Sequence, residues 1–205
     1  MPGTRRMTSR TPCACVQSRS RFSASRRRLP RAVVGATGSG KTTLINLLMR
    51  FYDPVAGTIT VNDTEIKTLA PDAWRASMAL VMQEPFLFSE SIRNNILRGA
   101  NGLTDSELAR ILKASHCEAL VKRLPDGIDS VLTESGGSLS SGERQLLSIA
   151  RAFARDPQLL ILDEATSSVD TRTEVLIQRA MDDLMVGRTS FIIAHRLSTI
   201  RNADL

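Results

Sequence analysis

Gly35, Gly38, Gly40, Lys41 and Thr42 stand in the run Gly35-Ala36-Thr37-Gly38-Ser39-Gly40-Lys41-Thr42, which fits the spacing G-x-x-x-x-G-K-[ST]. Glycines at those positions let successive backbone N–H groups converge on a phosphate, and a following helix start adds positive potential. A lysine next to the last glycine reaches the β- and γ-phosphates, and the following threonine can ligand Mg²⁺. The phosphate-binding candidates are therefore Gly35, Thr37, Gly38, Ser39, Gly40, Lys41, Thr42 and Thr43. A second chemical element is Leu159-Leu160-Ile161-Leu162-Asp163-Glu164. Four apolar residues make a buried strand, so Asp163 emerges at its carboxyl end, where open α/β sheets bind ligands. There it can hold Mg²⁺ through water, and Glu164 can polarise an attacking water as general base. The expected arrangement is a carboxylate strand beside the phosphate loop.

These residues need a sheet and helices to hold them, and the hydrophobic pattern supplies both. From residue 32 onward short apolar runs alternate with helical stretches, the signature of a parallel sheet with crossover helices. The pattern predicts strands at 32–34, 57–62, 78–82, 159–162 and 190–194. It predicts helices at 42–50, with Leu44, Leu47 and Leu48 inward, and at 104–124, 140–155 and 171–185. The second opens on a T-x-x-E capping box at Thr104 and Glu107. Asp156-Pro157 stops the third, and Gly187 ends the fourth.

With 205 residues and 42% apolar content the chain suits one ordinary domain. Its net charge of +6 is unevenly spread: residues 1–31 hold nine arginines and no acid, leaving 18 basic against 21 acidic residues beyond them. The basic character belongs to that first segment, and the body is mildly acidic. Residues 1–30 show no period of 2 or 3.6 and read as disordered or aberrant to the fold. Pro2, Pro12 and Pro30 and the lack of an amphipathic stripe speak against a transit peptide. No apolar run approaches the roughly 18 residues that span a bilayer. Cys13, Cys15 and Cys117 form neither a disulfide framework nor a zinc pattern, which suits a reduced, intracellular setting.

A phosphate loop with a carboxylate strand still leaves a GTPase, a nucleotide kinase or a motor open, although no N-K-x-D guanine motif is present. Leu139-Ser140-Ser141-Gly142-Glu143-Arg144-Gln145 separates them, because it resembles the L-S-G-G-Q-R-Q signature of ABC-type ATPases. Gln83 resembles that family's Q-loop, Ser168-Val169-Asp170 its D-loop and His195 its switch histidine. The resemblance covers about residues 32–205. It implies an α/β P-loop NTPase fold with a mainly parallel sheet, a helical subdomain at about 84–156 and an incomplete N-terminal antiparallel β-subdomain. Residues 31–205 would then be a partial ABC-type ATP-binding domain.

The resemblance also implies roles. ATP and Mg²⁺ would be the cofactors, with Thr42, Gln83 and Asp163 around the metal and Glu164, His195 and Gln83 in catalysis. Two domains, identical or not, would dock head to tail, so that Ser140, Ser141, Gly142, Glu143 and the D-loop Asp170 face the partner's ATP. Ser140 and Glu143 also read as an S-x-x-E capping box, which is compatible with that role. Phe86-Leu87-Phe88 is either core or a contact for a membrane domain. Together with Thr133-Glu134-Ser135-Gly136-Gly137 it resembles the exporter branch. The expected function is ATP hydrolysis that powers export through transmembrane partner domains at the cytoplasmic face of the cell membrane, with no nucleic acid involved. The alternatives are a soluble ABC ATPase acting on nucleic acid, supported only by the basic segment, and an inactive fragment.

Three features depart from the family pattern. Ser141 stands for Gly and Glu143 for Gln in the signature, and Phe22 is the only aromatic ahead of the phosphate loop. Loss of an adenine-stacking aromatic would cost about 1–3 kcal/mol, or roughly 5- to 150-fold in affinity. The chain ends at Leu205, where the family continues into further strands, so the sequence reads as a fragment of an exporter's nucleotide-binding domain.

Overall fold

The structure, a computed structural model, describes residues 31–34, 38–100, 102–133, 138–163 and 169–194. The expectation for residues 1–30 therefore lies outside the described residues. Four strands form one parallel sheet: β1 (Arg31–Val34), β4 (Met78–Val81), β5 (Leu159–Asp163) and β6 (Thr189–Ala194), in the order β1-β6-β5-β4. β6 thus stands between the phosphate-loop strand and the carboxylate strand, an order the sequence pattern leaves open. β1 and β5 stand two strand spacings apart, about 10 Å. Hydrophobic periodicity reports which residues are buried and carries nothing about strand order.

The fully apolar run in β5 is explained by cover on both faces. Leu160 and Leu162 join Val81, Ile149, Leu147, Ile177 and Ile192 in the larger core cluster. Ile161, between them in sequence, points to the other face, with Met78, Ile193, Ile45, Met49 and Trp74. α6 (Ser141–Arg155) packs on the larger side, against α7 (Thr171–Met185), α3 (Ile92–Leu97), α4 (Asp105–Ala114) and β4.

α1 runs Lys41–Leu48, shorter than the expected 42–50, and its buried residues are Lys41 and Ile45. Leu44 is 38% exposed, contrary to its expected inward position. The sheet meets the stripe Ile45, Leu48 and Met49, and Leu44 falls on its outer margin. The strand expected at 57–62 is a short hairpin: β2 (Thr60–Val61) pairs antiparallel with β3 (Thr64–Glu65). Asn62 and Asp63 between them both take positive φ, 47° and 62°, as a two-residue type I′ hairpin turn requires. Met82, expected in the third strand, lies past its end and is 41% exposed.

The helix expected over 104–124 is two helices, α4 and α5 (Glu118–Arg123). Ser115 Oγ donates back to Ile111 O at 2.8 Å, His116 turns left-handed at φ 55°, and Cys117 N–H closes on Leu112 O at 2.9 Å. That ending buries Cys117 completely, and burial pushes its thiol pKa up to about 12. The capping box at Thr104 and Glu107 forms as expected. α2 (Pro71–Ala76), which starts on a proline at its first helical position, and α3 carry no long periodic pattern, and sequence reading passed over both.

Candidate functional site

In a parallel sheet all carboxyl ends lie on one edge, and the register aligns them closely. Val34 pairs with Ala194, Ile193 with Asp163 and Leu162 with Val81. The chain leaves β1 for the glycine loop, β5 at Asp163 and β4 for Gln83, all on this edge. Gln83 is exposed and Asp163 half-buried there. Gly35, Thr37, Glu164 and His195 lie outside the described residues.

Gly38 and Gly40 both sit in the left-handed region, at φ 81° and 89°. A side chain there would be strained whatever the space, which is why this loop uses glycine. A Cβ built at either would meet nothing within 4 Å, so the backbone here borders open space. Gly40 caps α1 without a side-chain hydrogen bond, and the first turn of α1 carries no acid. Ser39, Thr42 and Thr43 are exposed, whereas Lys41, the first helical residue, is only 8% exposed. A helix start left uncapped by its own side chains, with a lysine at its first position, suits a polyanion.

The start of α6 is built differently. Ser140 is its N-cap and not its first helical residue: its Oγ accepts from Glu143 N–H at 3.2 Å. Glu143 Oε2 accepts from Ser140 N–H at 2.8 Å, completing the capping box. Glu143 Oε1 accepts from Arg123 Nη2 at 2.6 Å. Ser141 is half-buried and Gly142 buried. A Cβ on Gly142 would come within 2.4 Å of Thr173 Cγ2 and 3.0 Å of Val169 Cγ1. The close approach of Thr173 in α7 therefore favours glycine at position 142 on packing grounds alone.

Asp170 caps α7, its Oδ1 accepting from Thr173 N–H at 3.0 Å. The side chain of Thr173, then its backbone N–H, hold the Asp170 carboxyl below the usual carboxylate range. Gly142 and Asp170 thus meet the same residue, Thr173. The signature helix and the described part of the D-loop are packed together, a contact that motif spacing does not reveal.

Past Gln83 the structure divides the apolar triplet. Leu87 is buried, Phe88 half-buried and Phe86 55% exposed. Two residues missed by sequence reading hold this segment. Asn95 is 1% exposed; its Oδ1 accepts from Phe88 N–H at 2.9 Å and its Nδ2 donates to Phe88 O at 2.9 Å. Arg151 Nε donates to Asn95 O at 2.9 Å and Nη1 to Phe86 O at 3.0 Å. Desolvation lowers the Arg151 pKa. The available signal was an asparagine on the inward stripe between Ile92 and Ile96, since a buried polar side chain must find partners.

The donor set fits ATP with Mg²⁺. Positive-φ glycines beside open space and a lysine at an uncapped helix start suit phosphates. The threonine hydroxyl, glutamine amide and aspartate carboxylate are hard oxygen donors of the kind that share Mg²⁺ with phosphate. Among the described residues no group of three or more His, Cys, Asp or Glu forms an all-protein metal site. No helix among them is long and apolar enough to cross a membrane.

Comparison with known proteins adds the family context. A family model described as ABC transporter matches residues 26–167. The chain is 53% identical over 173 residues to the uncharacterized ABC transporter ATP-binding protein YfiC of Bacillus subtilis, covering 84% of this chain and 29% of that protein. It is 52% identical to a fatty acid ABC transporter ATP-binding/permease protein of Mycobacterium bovis, covering 84% of this chain and 27% of the relative. An ATP-dependent lipid A-core flippase of Desulfotalea psychrophila is 48% identical, with 84% and 30% covered. Among solved structures, a bacterial Atm1-family ABC exporter with ATP bound superposes with a TM-score of 0.78 at 39% identity, covering 86% of this chain and 31% of that one. The chain spans less than a third of the length of these relatives.

Proposed function

The chain belongs to the ABC transporter family, and on that premise we propose that it is the ATP-hydrolysing part of an exporter, working through transmembrane partner domains at the cytoplasmic face of the membrane. The observation that carries this reading is the shared edge of the parallel sheet. There the uncapped start of α1, Gln83 and Asp163 lie at the ends of aligned strands. The names of the relatives, transporters and flippases, favour export over the nucleic-acid alternative.

In this reading Gly35, Thr37, Gly38, Ser39, Gly40 and Thr43 wrap the phosphates with their backbone and hydroxyl groups, and Lys41 pairs with their charge. Thr42, Gln83 and Asp163 hold Mg²⁺, which when bound offsets the charge that develops on the transferred phosphoryl group. Glu164 takes a proton from the attacking water, and His195 helps orient that water toward the γ-phosphate. Ser140 to Glu143 and Asp170 face the ATP held by a second ABC ATPase domain, identical or different. The exposed ring of Phe86, on a segment pinned by Asn95 and Arg151, supports contact with a transmembrane domain.

Steady-state Mg-ATP hydrolysis by the purified chain tests the reading. Glu164→Gln is expected to lower turnover by about 10²- to 10⁴-fold, the usual weight of a general base. Equal turnover in the two proteins would overturn the catalytic assignment.

A further inference from the structure

Glu143 brings a carboxylate to the start of α6, where the signature pattern has a neutral glutamine. On the reading above, that helix start meets the triphosphate of a partner domain's ATP, and an uncompensated negative charge there would repel it. Both carboxylate oxygens are committed within the domain: one to Ser140 N–H at 2.8 Å, the other to Arg123 Nη2 at 2.6 Å. The short second contact, made by a Glu143 side chain only 18% exposed, has the geometry of a charge-assisted hydrogen bond.

The other capping box supplies an internal control. At the start of α4, Glu107 accepts from the N–H and hydroxyl of Thr104 at 2.8 and 2.7 Å. Its nearest cation, Arg110, is at 3.9 Å. A glutamate can therefore cap a helix in this protein without a guanidinium in hydrogen-bond contact. The Arg123 contact at α6 is an addition that capping does not demand, reaching from the last residue of α5 across 20 positions of sequence.

We propose that Arg123 is a positioning residue of the signature. It pins Glu143 in its capping pose and cancels its charge, so that the start of α6 accepts an anion although a glutamate stands where glutamine is usual. The proposal rests on the ATPase reading and deepens it. An ion pair whose arginine is 60% exposed adds little to stability, so the effect belongs to nucleotide-dependent behaviour and not to the melting temperature.

The test uses the Glu164→Gln chain, which keeps ATP unhydrolysed, with MgATP-driven pairing followed by light scattering. Arg123→Gln is expected to raise the ATP concentration for half-maximal pairing about tenfold, the weight of one charge-assisted hydrogen bond. Arg123→Lys, which keeps the charge, should stay within about twofold, as should Arg123→Gln placed on Glu143→Gln, where there is no charge to cancel. In the hydrolysing chain the same Arg123→Gln should raise KM with kcat little changed. Equal shifts with and without Glu143, or no shift with Glu143 present, would overturn the assignment of Arg123 alone. Failure of the Glu164→Gln chain to pair at any ATP concentration appears before Arg123 is altered, and overturns the head-to-tail pairing on which this proposal rests, whereas the ATPase reading itself falls only if Mg-ATP hydrolysis is absent.

Discussion

Two helix starts in this molecule carry the nucleotide motifs, and they satisfy their backbone in opposite ways. α1 begins on Gly40, without a side-chain cap, without an acid in its first turn and with Lys41 at its first position. α6 begins on Ser140, with a complete capping box, an acid in the first turn and an arginine on that acid. The N–H groups of a first turn have no intrahelical acceptor. At α1 no side-chain cap meets them, whereas at α6 the chain satisfies part of them itself. On the function proposed above, the contrast suits a loop that holds phosphate within its own domain and a surface that stays stable until a partner brings one.

Substitutions sharpen that contrast in descending order of effect. Lys41→Ala is expected to weaken MgATP binding by about 10- to 150-fold, the range of a hydrogen bond to a charged group, measured by calorimetric titration. Binding unchanged by this substitution would break the distinction between the two starts. Gly142→Ala should destabilise the fold by about 1–3 kcal/mol through overpacking against Thr173 and Val169. Adding Thr173→Ser, which removes the Cγ2 methyl, should recover most of that loss in a denaturant titration. Ser140→Ala should cost about 1 kcal/mol, a drop in melting temperature of about 2–4 °C for a chain of this size. At α1 there is no side-chain cap to remove.

The smallest effect concerns pH at the neighbouring α7 cap. The folded pKa of Asp170 is lowered by Thr173, so its contribution is present above the unfolded value near 3.9 and fades as pH falls through the folded value. Asp170→Asn caps without titrating. The stability difference between the two proteins should therefore shrink between about pH 5 and pH 2. A difference constant across that range would show that the carboxylate charge contributes nothing.

What could be read in advance follows the range of the interactions involved. Both capping boxes, Thr104 with Glu107 and Ser140 with Glu143, were legible because the partners are three residues apart. α7 matched its expected limits, 171–185, for a similar reason: a cap before it, an amphipathic repeat within it and Gly187 after it. The run 104–124 failed because the back-bonding of Ser115 and the left-handed His116 interrupt a stripe that continues on both sides. The inward face of α1 was misjudged because Leu44, Ile45, Leu47 and Leu48 are all strongly apolar, and only the sheet decides which of them it covers.

By itself the sequence determined the chemistry on offer: a glycine-rich loop between a strand and a helix, an apolar strand ending in carboxylates, and a signature run that caps its own helix. These are properties of adjacent residues, set by backbone sterics and by hydrogen bonds that span three or four positions. Tertiary structure alone decided that β6 stands between β1 and β5, that Gly142 lies against Thr173, that Asn95 and Arg151 hold the segment after Gln83, and that Arg123 reaches Glu143. Each of those depends on where distant segments come to rest when two faces of one sheet are covered, and a periodic pattern of burial is the same for many such arrangements.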